Sequence, residues 1–193
     1  MLNSNIEFLL NDELVSINNL GTNTTVLNYI RNHRNLKGTK EGCASGDCGA
    51  CTAVVAELID KKLTYKTINT CITFLYSLHG KQLITVENLD KKNLHPVQKS
   101  MINNDGSQCG FCTPGIVMSM YGMYKNKIKP TNENIERNLS GNLCRCTGYK
   151  SIKVAAKNIY KNNTINNDNE KNLDIIKKIS KKDININLEK NNF

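Results

Sequence analysis

Short apolar runs alternate with turn residues over the first half of the chain. Ile6–Leu10 and residues 14–17 flank Asn11-Asp12, and "TAVVAELIDKKLTYKTI" (residues 52–68) turns at Asp60-Lys61-Lys62, so both segments predict hairpins. Between them Thr24 or Thr25 can cap a helix that packs Val26, Leu27 and Ile30. An apolar segment around Phe74, Leu75 and Leu78 precedes "KQLITVE", which predicts a closing strand. Strands around one helix, without regular βαβ alternation, read as α+β.

From His95 the apolar period becomes helical. Pro96 suits a first helical turn ahead of Val97 and Met101. Thr113-Pro114 opens a second helix, whose Ile116, Val117, Met120, Met123 and Tyr124 predict one apolar face. A third begins after Pro130-Thr131 and stops at Gly141, and a fourth carries Ile152, Ala155, Ala156 and Ile159. The division expected is a strand-rich domain over 1–86, an all-α four-helix domain over 87–160 and a Lys/Asn-rich linker or tail over 161–193. In that tail Leu173, Ile175, Ile176 and Ile179 offer a weak amphipathic turn or two.

Composition narrows the function classes. A net charge of +9 in 193 residues would suit nucleic acid. The lysines are scattered, however, and no nucleic-acid-binding motif accompanies them. No segment is long and apolar enough to predict a membrane span. The N-terminal residues include Glu7, Asp12 and Glu13 and lack the pattern of a signal peptide. A reducing cytoplasm is therefore expected, where clustered cysteines bind metal or do redox work rather than form disulfides.

Eight cysteines fall into two sets of four. Cys43, Cys48, Cys51 and Cys71 have the C-x4-C-x2-C…C spacing of a plant-type [2Fe-2S] ferredoxin, which zinc sites do not share. Gly42, Gly46 and Gly49 are expected to take positive φ and turn N–H groups inward as a nest for an anionic cluster. Cys109, Cys112, Cys144 and Cys146 form C-x2-C…C-x-C, each pair just ahead of an expected helix, where free N–H groups favour negative charge. The tight C-x-C either gives two ligands to one iron or one to each iron of a second cluster. Arg145 between them compensates charge or is simply solvated.

Together "KEGCASGDCGACTAVV", "GSQCGFCTPGIVMSM" and "GNLCRCTGY" resemble the iron–sulfur portion of the xanthine dehydrogenase and molybdenum hydroxylase family. "TINTCITFLYSLHGKQLITVENL" adds likeness to its bacterial xanthine dehydrogenase small subunits. The resemblance covers residues 5 to about 160. It implies a β-grasp [2Fe-2S] ferredoxin-like domain followed by the helical [2Fe-2S] domain. It also implies electron flow from molybdopterin through the helical-domain cluster and then the ferredoxin-domain cluster to FAD and NAD. By that likeness Gln108 hydrogen-bonds the pterin, and Cys146 is both a ligand and the point where electrons leave the pterin.

Similar small subunits continue into a flavin domain, and no Gly-rich flavin fingerprint occurs here. Molybdopterin and FAD are thus expected on partner chains, a molybdopterin-binding large subunit and a flavin subunit, or on a missing C-terminal domain. No nucleic-acid or membrane partner is expected. The chain supplies ligands but no catalytic constellation, since His33, His79 and His95 fall on expected loop or surface positions, so it is not catalytic alone. The substrate class is open to purines, aldehydes, carbon monoxide or aromatic rings. A free-standing ferredoxin-type carrier is the competing class, disfavoured by the basic charge.

Overall fold

A computed structural model describes residues 5–18, 20–89, 93–161 and 170–182. Five strands form one sheet in the order β2-β1-β5-β3-β4. Strands β1 (Ile6–Leu10) and β2 (Glu13–Ile17) pair antiparallel, as do β3 (Thr52–Ile59) and β4 (Lys62–Asn69). Strand β5 (Gln82–Ile84) lies parallel to β1 and antiparallel to β3, closing the centre. Both hairpins turn where the sequence marks them. Asn11 takes φ 57°, and Asp60 and Lys61 take 47° and 64°, positive values at both turn residues that match the twist of a two-residue hairpin.

Six α-helices occur among the described residues: α1 (Val26–Asn28, continued by a π-helical turn to His33), α2 (Pro96–Asn103), α3 (Thr113–Lys125), α4 (Asn132–Leu139), α5 (Lys150–Asn158) and α6 (Glu170–Ile179). Helices α2 to α5 fall within 87–160, α1 is the helix expected after Thr24 or Thr25, and α6 lies in the segment expected to be a linker or tail. Caps explain several boundaries. The Thr25 and Thr131 hydroxyls each accept the N–H three residues on, at 3.2 Å. His95 caps α2, its Nδ1 accepting from the Val97 N–H while Gln98 Oε1 accepts from the His95 N–H.

Strand β3 is the wall between two cores. Residues Thr52–Ala56 are all buried, and the two-residue period sends alternate side chains to opposite faces. Ala53 and Val55 join Phe8, Val26, Ile30, Leu75 and Leu83 on one face. Val54 and Ala56 join Met101, Ile116, Met120, Met123, Ile135, Ile152 and Ala155 on the other. The one-sided pattern expected of α3 does not hold: Gly115 through Tyr124 are buried without interruption. Helix α3 packs against β3, β4, α2 and α4, so it is a core helix with almost no solvent face.

The segment expected to be a linker or tail also departs from expectation. Helix α6 docks on β1 and β3, with Ile176 and Ile179 fully buried. Asn172 Nδ2 donates to Asp12 Oδ1 at 2.9 Å, and Lys182 Nζ pairs with Glu7 at 2.6 Å. His79 bridges the same joint, its Nδ1 accepting the Glu7 N–H and its Nε2 meeting the Lys182 carbonyl at 2.8 Å. Residues 170–182 are therefore not a frayed tail. The remainder of the tail, 162–169 and 183–193, lies outside the described residues. Of the three imidazoles, His79 and His95 hold backbone groups, and His33 stacks on Tyr29.

Two substitutions check this packing. In most helix interiors Gly→Ala is favourable by about 1 kcal/mol. At Gly115 an added Cβ would lie 2.2 Å from the Gly49 carbonyl oxygen, so Gly115→Ala should instead lower stability by about 1–3 kcal/mol in urea unfolding. Ile176→Ala should accelerate amide exchange in α6 while β3 and β4 keep their protection, because the helix can undock locally.

Candidate metal centres

Residues 40–51 form a loop between the π-helical turn and β3, and backbone donors converge in it. The Cys43 Sγ accepts N–H groups of Ser45 at 3.4 Å and of Asp47 and Cys48 at 3.3 Å. These donors, the Cys48 amide foremost, lower the Cys43 thiol to about 5. The expected nest is present with one change in its residues. Gly46 and Gly49 take φ of 79° and 69°, and the third left-handed position is Ala44, at 55°. Gly42 serves by size instead, since a Cβ there would stand 2.8 Å from the Cys48 Sγ.

Cys51 and Cys71 face each other at 3.3 Å in the interior, packed with Leu27. Burial, with Cys51 beside it, pushes the Cys71 thiol up to about 11. Cys71 is held by the turn after β4, where the Thr70 hydroxyl donates to the Cys51 carbonyl at 2.7 Å and Asn69 Nδ2 donates to the Gly46 carbonyl at 2.6 Å. The first set thus consists of a buried pair, Cys51 and Cys71, and a loop pair, Cys43 and Cys48, nearer the surface.

The second set is built from the loops ahead of α3 and α5. Cys112 is the N-terminal cap residue of α3, and Cys144 and Cys146 lie in the loop that ends at Tyr149. Its thiols also pair, across the loops. Cys109 is lowered first by the Phe111 amide and then by the Cys146 thiol, which is raised in turn by Cys109. Burial, then the Cys144 thiol, pushes Cys112 up to about 12. Burial opposes the Cys144 thiolate, but the Thr147 hydroxyl and amide and the Cys112 thiol outweigh it and bring Cys144 down. Each thiol of the C-x-C therefore faces a different thiol of the C-x2-C.

Among the described residues no three Cys, His, Asp or Glu side chains converge as a single-ion site. Thiols in facing pairs suit a cluster with two irons, each taking two thiolates, better than one tetrahedral zinc. In the two facing pairs of the second set one thiol is disposed to ionise and its neighbour is not, so metal binding would displace the remaining protons.

Gln108 lies exposed beside the exposed Cys109, and Cys146 and Arg145 are exposed on the facing loop. Arg145 takes part in no ion pair among the described residues, in keeping with a solvated side chain. Two functional positions escape a reading of spacing alone. Tyr149 has φ 66°, and its hydroxyl accepts the Cys144 N–H at 2.7 Å and donates to the Asn142 carbonyl at 3.3 Å. Asn142 is buried between the two cysteine loops. Neither the left-handed Tyr149 nor Asn142 left a mark in the sequence.

The two loops touch through the backbone. The Leu143 N–H donates to the Cys48 carbonyl at 2.9 Å, which places Cys48 and the residue before Cys144 one hydrogen bond apart.

Comparison with known proteins agrees with this geometry. Residues 8–76 match a 2Fe-2S iron-sulfur cluster binding domain, and residues 85–157 match a [2Fe-2S] binding domain. Mouse xanthine dehydrogenase/oxidase is 47% identical over 148 residues, which is 75% of this chain and 11% of that protein. Mouse aldehyde oxidase 3 is 41% identical over 161 residues, 81% of this chain and 12% of the relative. The chain thus spans about a ninth of the length of these curated relatives.

Among solved structures, quinoline 2-oxidoreductase from Pseudomonas putida 86 aligns with a TM-score of 0.68 at 25% identity, over 92% of this chain and 98% of that one. Aldehyde oxidoreductase from Desulfovibrio gigas aligns with a TM-score of 0.70 at 30% identity, over 80% of this chain and 16% of that one. With two matched [2Fe-2S] domains in series and this set of relatives, the chain belongs to the iron–sulfur part of the xanthine dehydrogenase and aldehyde oxidase family of molybdenum hydroxylases.

Proposed function

We propose that this chain is a separate iron–sulfur subunit that relays electrons from a molybdopterin site to a flavin in a cytoplasmic xanthine dehydrogenase acting on purines. The observation that carries the relay is the hydrogen bond from the Leu143 N–H to the Cys48 carbonyl, which joins the two thiol sets through protein rather than solvent. The reading as a separate subunit is supported by the near-complete coverage of the quinoline 2-oxidoreductase chain, 98%. The purine substrate is favoured by the higher identity to xanthine dehydrogenase/oxidase, 47%, than to aldehyde oxidase 3, 41%.

In this proposal Cys43, Cys48, Cys51 and Cys71 hold the first cluster, and Cys109, Cys112, Cys144 and Cys146 the second. The facing pairs give each iron of the second cluster one thiol from each loop. Bound [2Fe-2S] clusters supply reversible one-electron storage. The chain's own residues do the rest. Amides of Ser45, Asp47 and Cys48 steady the Cys43 thiolate, and the Thr147 hydroxyl, 3.1 Å from the Cys144 Sγ, steadies another.

Buried surroundings keep water from Cys51, Cys71 and Cys144, while the exposed edge of the second set, with Gln108, Cys109 and Cys146, is the face offered to the pterin. Domain limits of 1–86 and 87–160 accompany this reading. A molybdopterin-binding large subunit and a flavin subunit or domain complete the enzyme, with the hard chemistry on their cofactors.

Anaerobic reconstitution of the chain should yield two spectroscopically distinct clusters, two irons and two sulfides for each matched domain. Zinc in their place, or a single kind of reduced paramagnetic centre, would rule the proposal out.

In the assembled enzyme Cys48→Ser should leave the helical-domain cluster reducible by substrate and cut passage to the acceptor. Cys146→Ser should stop substrate reduction of both clusters. Identical partial reduction in the two variants would show the proposed order to be wrong.

Turnover assays give a third check. The purified chain should show no oxidation of xanthine or hypoxanthine with any acceptor, and activity should return on addition of molybdenum and flavin subunits. Purine oxidation by the homogeneous chain alone would refute the subunit role.

A further inference from the structure

Asn142 is 4% exposed, and its carboxamide uses both kinds of bonding capacity. Its Nδ2 donates to the Gly49 carbonyl at 3.0 Å and to Thr52 Oγ1 at 3.1 Å, and its Oδ1 accepts from Ser119 Oγ at 2.6 Å. Thr52 Oγ1 in turn donates to the Gly49 carbonyl at 2.7 Å. The three partners belong to the first cysteine loop, to β3 and to α3, and Asn142 itself belongs to the second cysteine loop. One side chain therefore joins both ligand loops to the strand and the helix that support them.

The main chain around it extends the joint. The Asn142 carbonyl accepts from Tyr149 Oη, the same hydroxyl that receives the Cys144 N–H. The next residue, Leu143, donates its N–H to the Cys48 carbonyl. Consecutive residues 142 and 143 thus hold consecutive carbonyls 49 and 48, like two rungs between the loops. Of the two rungs, only the Asn142 rung is made by a side chain.

We infer that Asn142 is a positioning residue that fixes the electronic coupling between the two clusters, by holding the Cys48 carbonyl and the Leu143 amide in register. This rests on the two-cluster reading above. Electron exchange, in which one electron leaves one cluster as it enters the other, weakens steeply as a hydrogen-bonded contact opens into a gap. A polar residue also fits such a task better than simple space filling. A buried amide is costly when its partners are lost, whereas a directional network specifies one geometry and apolar contacts tolerate several.

The test uses the full chain loaded with both clusters and reduced with dithionite. Iron and sulfide analysis comes first, and a chain that cannot hold two clusters overturns the underlying reading and this inference with it. In the loaded wild type, low-temperature paramagnetic resonance should show splitting from the interaction of the two reduced clusters. Asn142→Ala removes all three side-chain bonds. Asn142→Asp keeps the acceptor for Ser119 and loses both donors.

Both variants should lose the splitting while each cluster keeps its own signal and iron content. If Asn142→Ala fails to load, Asn142→Asp together with Ser119→Ala decides, the latter expected to diminish the splitting in part. Ser100→Ala, which removes a buried bond from α2 to the Ala155 carbonyl of α5 and none made by either cysteine loop, controls for mere destabilisation and should leave the splitting intact. Wild-type splitting in a fully loaded Asn142 variant, or an equal loss in Ser100→Ala, would overturn the inference.

Discussion

Backbone meets backbone where the two halves of the chain join, and the rest of the architecture depends on that contact. Gly115, in the first turn of α3, lies so close to the Gly49 carbonyl that no Cβ fits between them. A side chain at Gly49 would sit 2.1 Å from the Gly141 carbonyl oxygen. Three segments therefore approach at glycine: the end of the first cysteine loop, the start of the central helix and the start of the second cysteine loop. Such closeness lets Asn142 reach across and the Leu143 amide find the Cys48 carbonyl. It also seats α3 against β3, so the helical core forms on the reverse face of the sheet that carries the ferredoxin-like core.

Sharing β3 between two cores has an energetic consequence. A strand buried on both faces contributes apolar area to each, at roughly 25 cal/mol for every Å² removed from water. Neither half keeps its full burial without the other. The continuous burial of Gly115 through Tyr124 has the same origin, because a helix set against a sheet on one side and helices on others has little face left for solvent. Two flexible domains would leave the gap between the cysteine loops to fluctuate; a common strand and a buried helix keep it constant.

Local chemistry was legible in the sequence and distant chemistry was not. Hairpin turns, Thr25 and Thr131 caps, Pro96 and Thr113-Pro114 starts all act within a few residues, and the structure places each where short-range rules put it. The cysteine spacing was similarly local and suffices for the two sets. One failure was local, and the others depended on partners far along the chain. Ala44 takes the left-handed position expected of glycine because the Ser45, Asp47 and Cys48 amides need that turn to reach Cys43. Helix α6 has only a weak apolar pattern of its own and is stabilised by β1, Asp12 and Glu7, some 160 residues away or more. Asn142 looks like any loop asparagine until Gly49, Thr52 and Ser119 are brought around it.

Exposure gives direction to the pair of sites. The first set turns its loop pair toward the surface beside exposed Ala44, Ser45 and Asp47, and buries Cys51 and Cys71. The second exposes Cys109 and Cys146 and buries Cys144. Each set thus has one edge accessible to a partner, while the Cys48 carbonyl and the amide of Leu143, next to Cys144, join the two loops. Two carriers arranged this way need not share a docking surface. In the proposed relay a donor at the edge near Gln108 and an acceptor at the loop near Ser45 bind at once, which a carrier with a single exposed centre cannot allow. Simultaneous occupancy removes the need to dissociate between receiving and delivering an electron. That is the physical advantage of a fixed relay over a diffusing ferredoxin, and it requires the inner contact to stay rigid while both outer edges remain open.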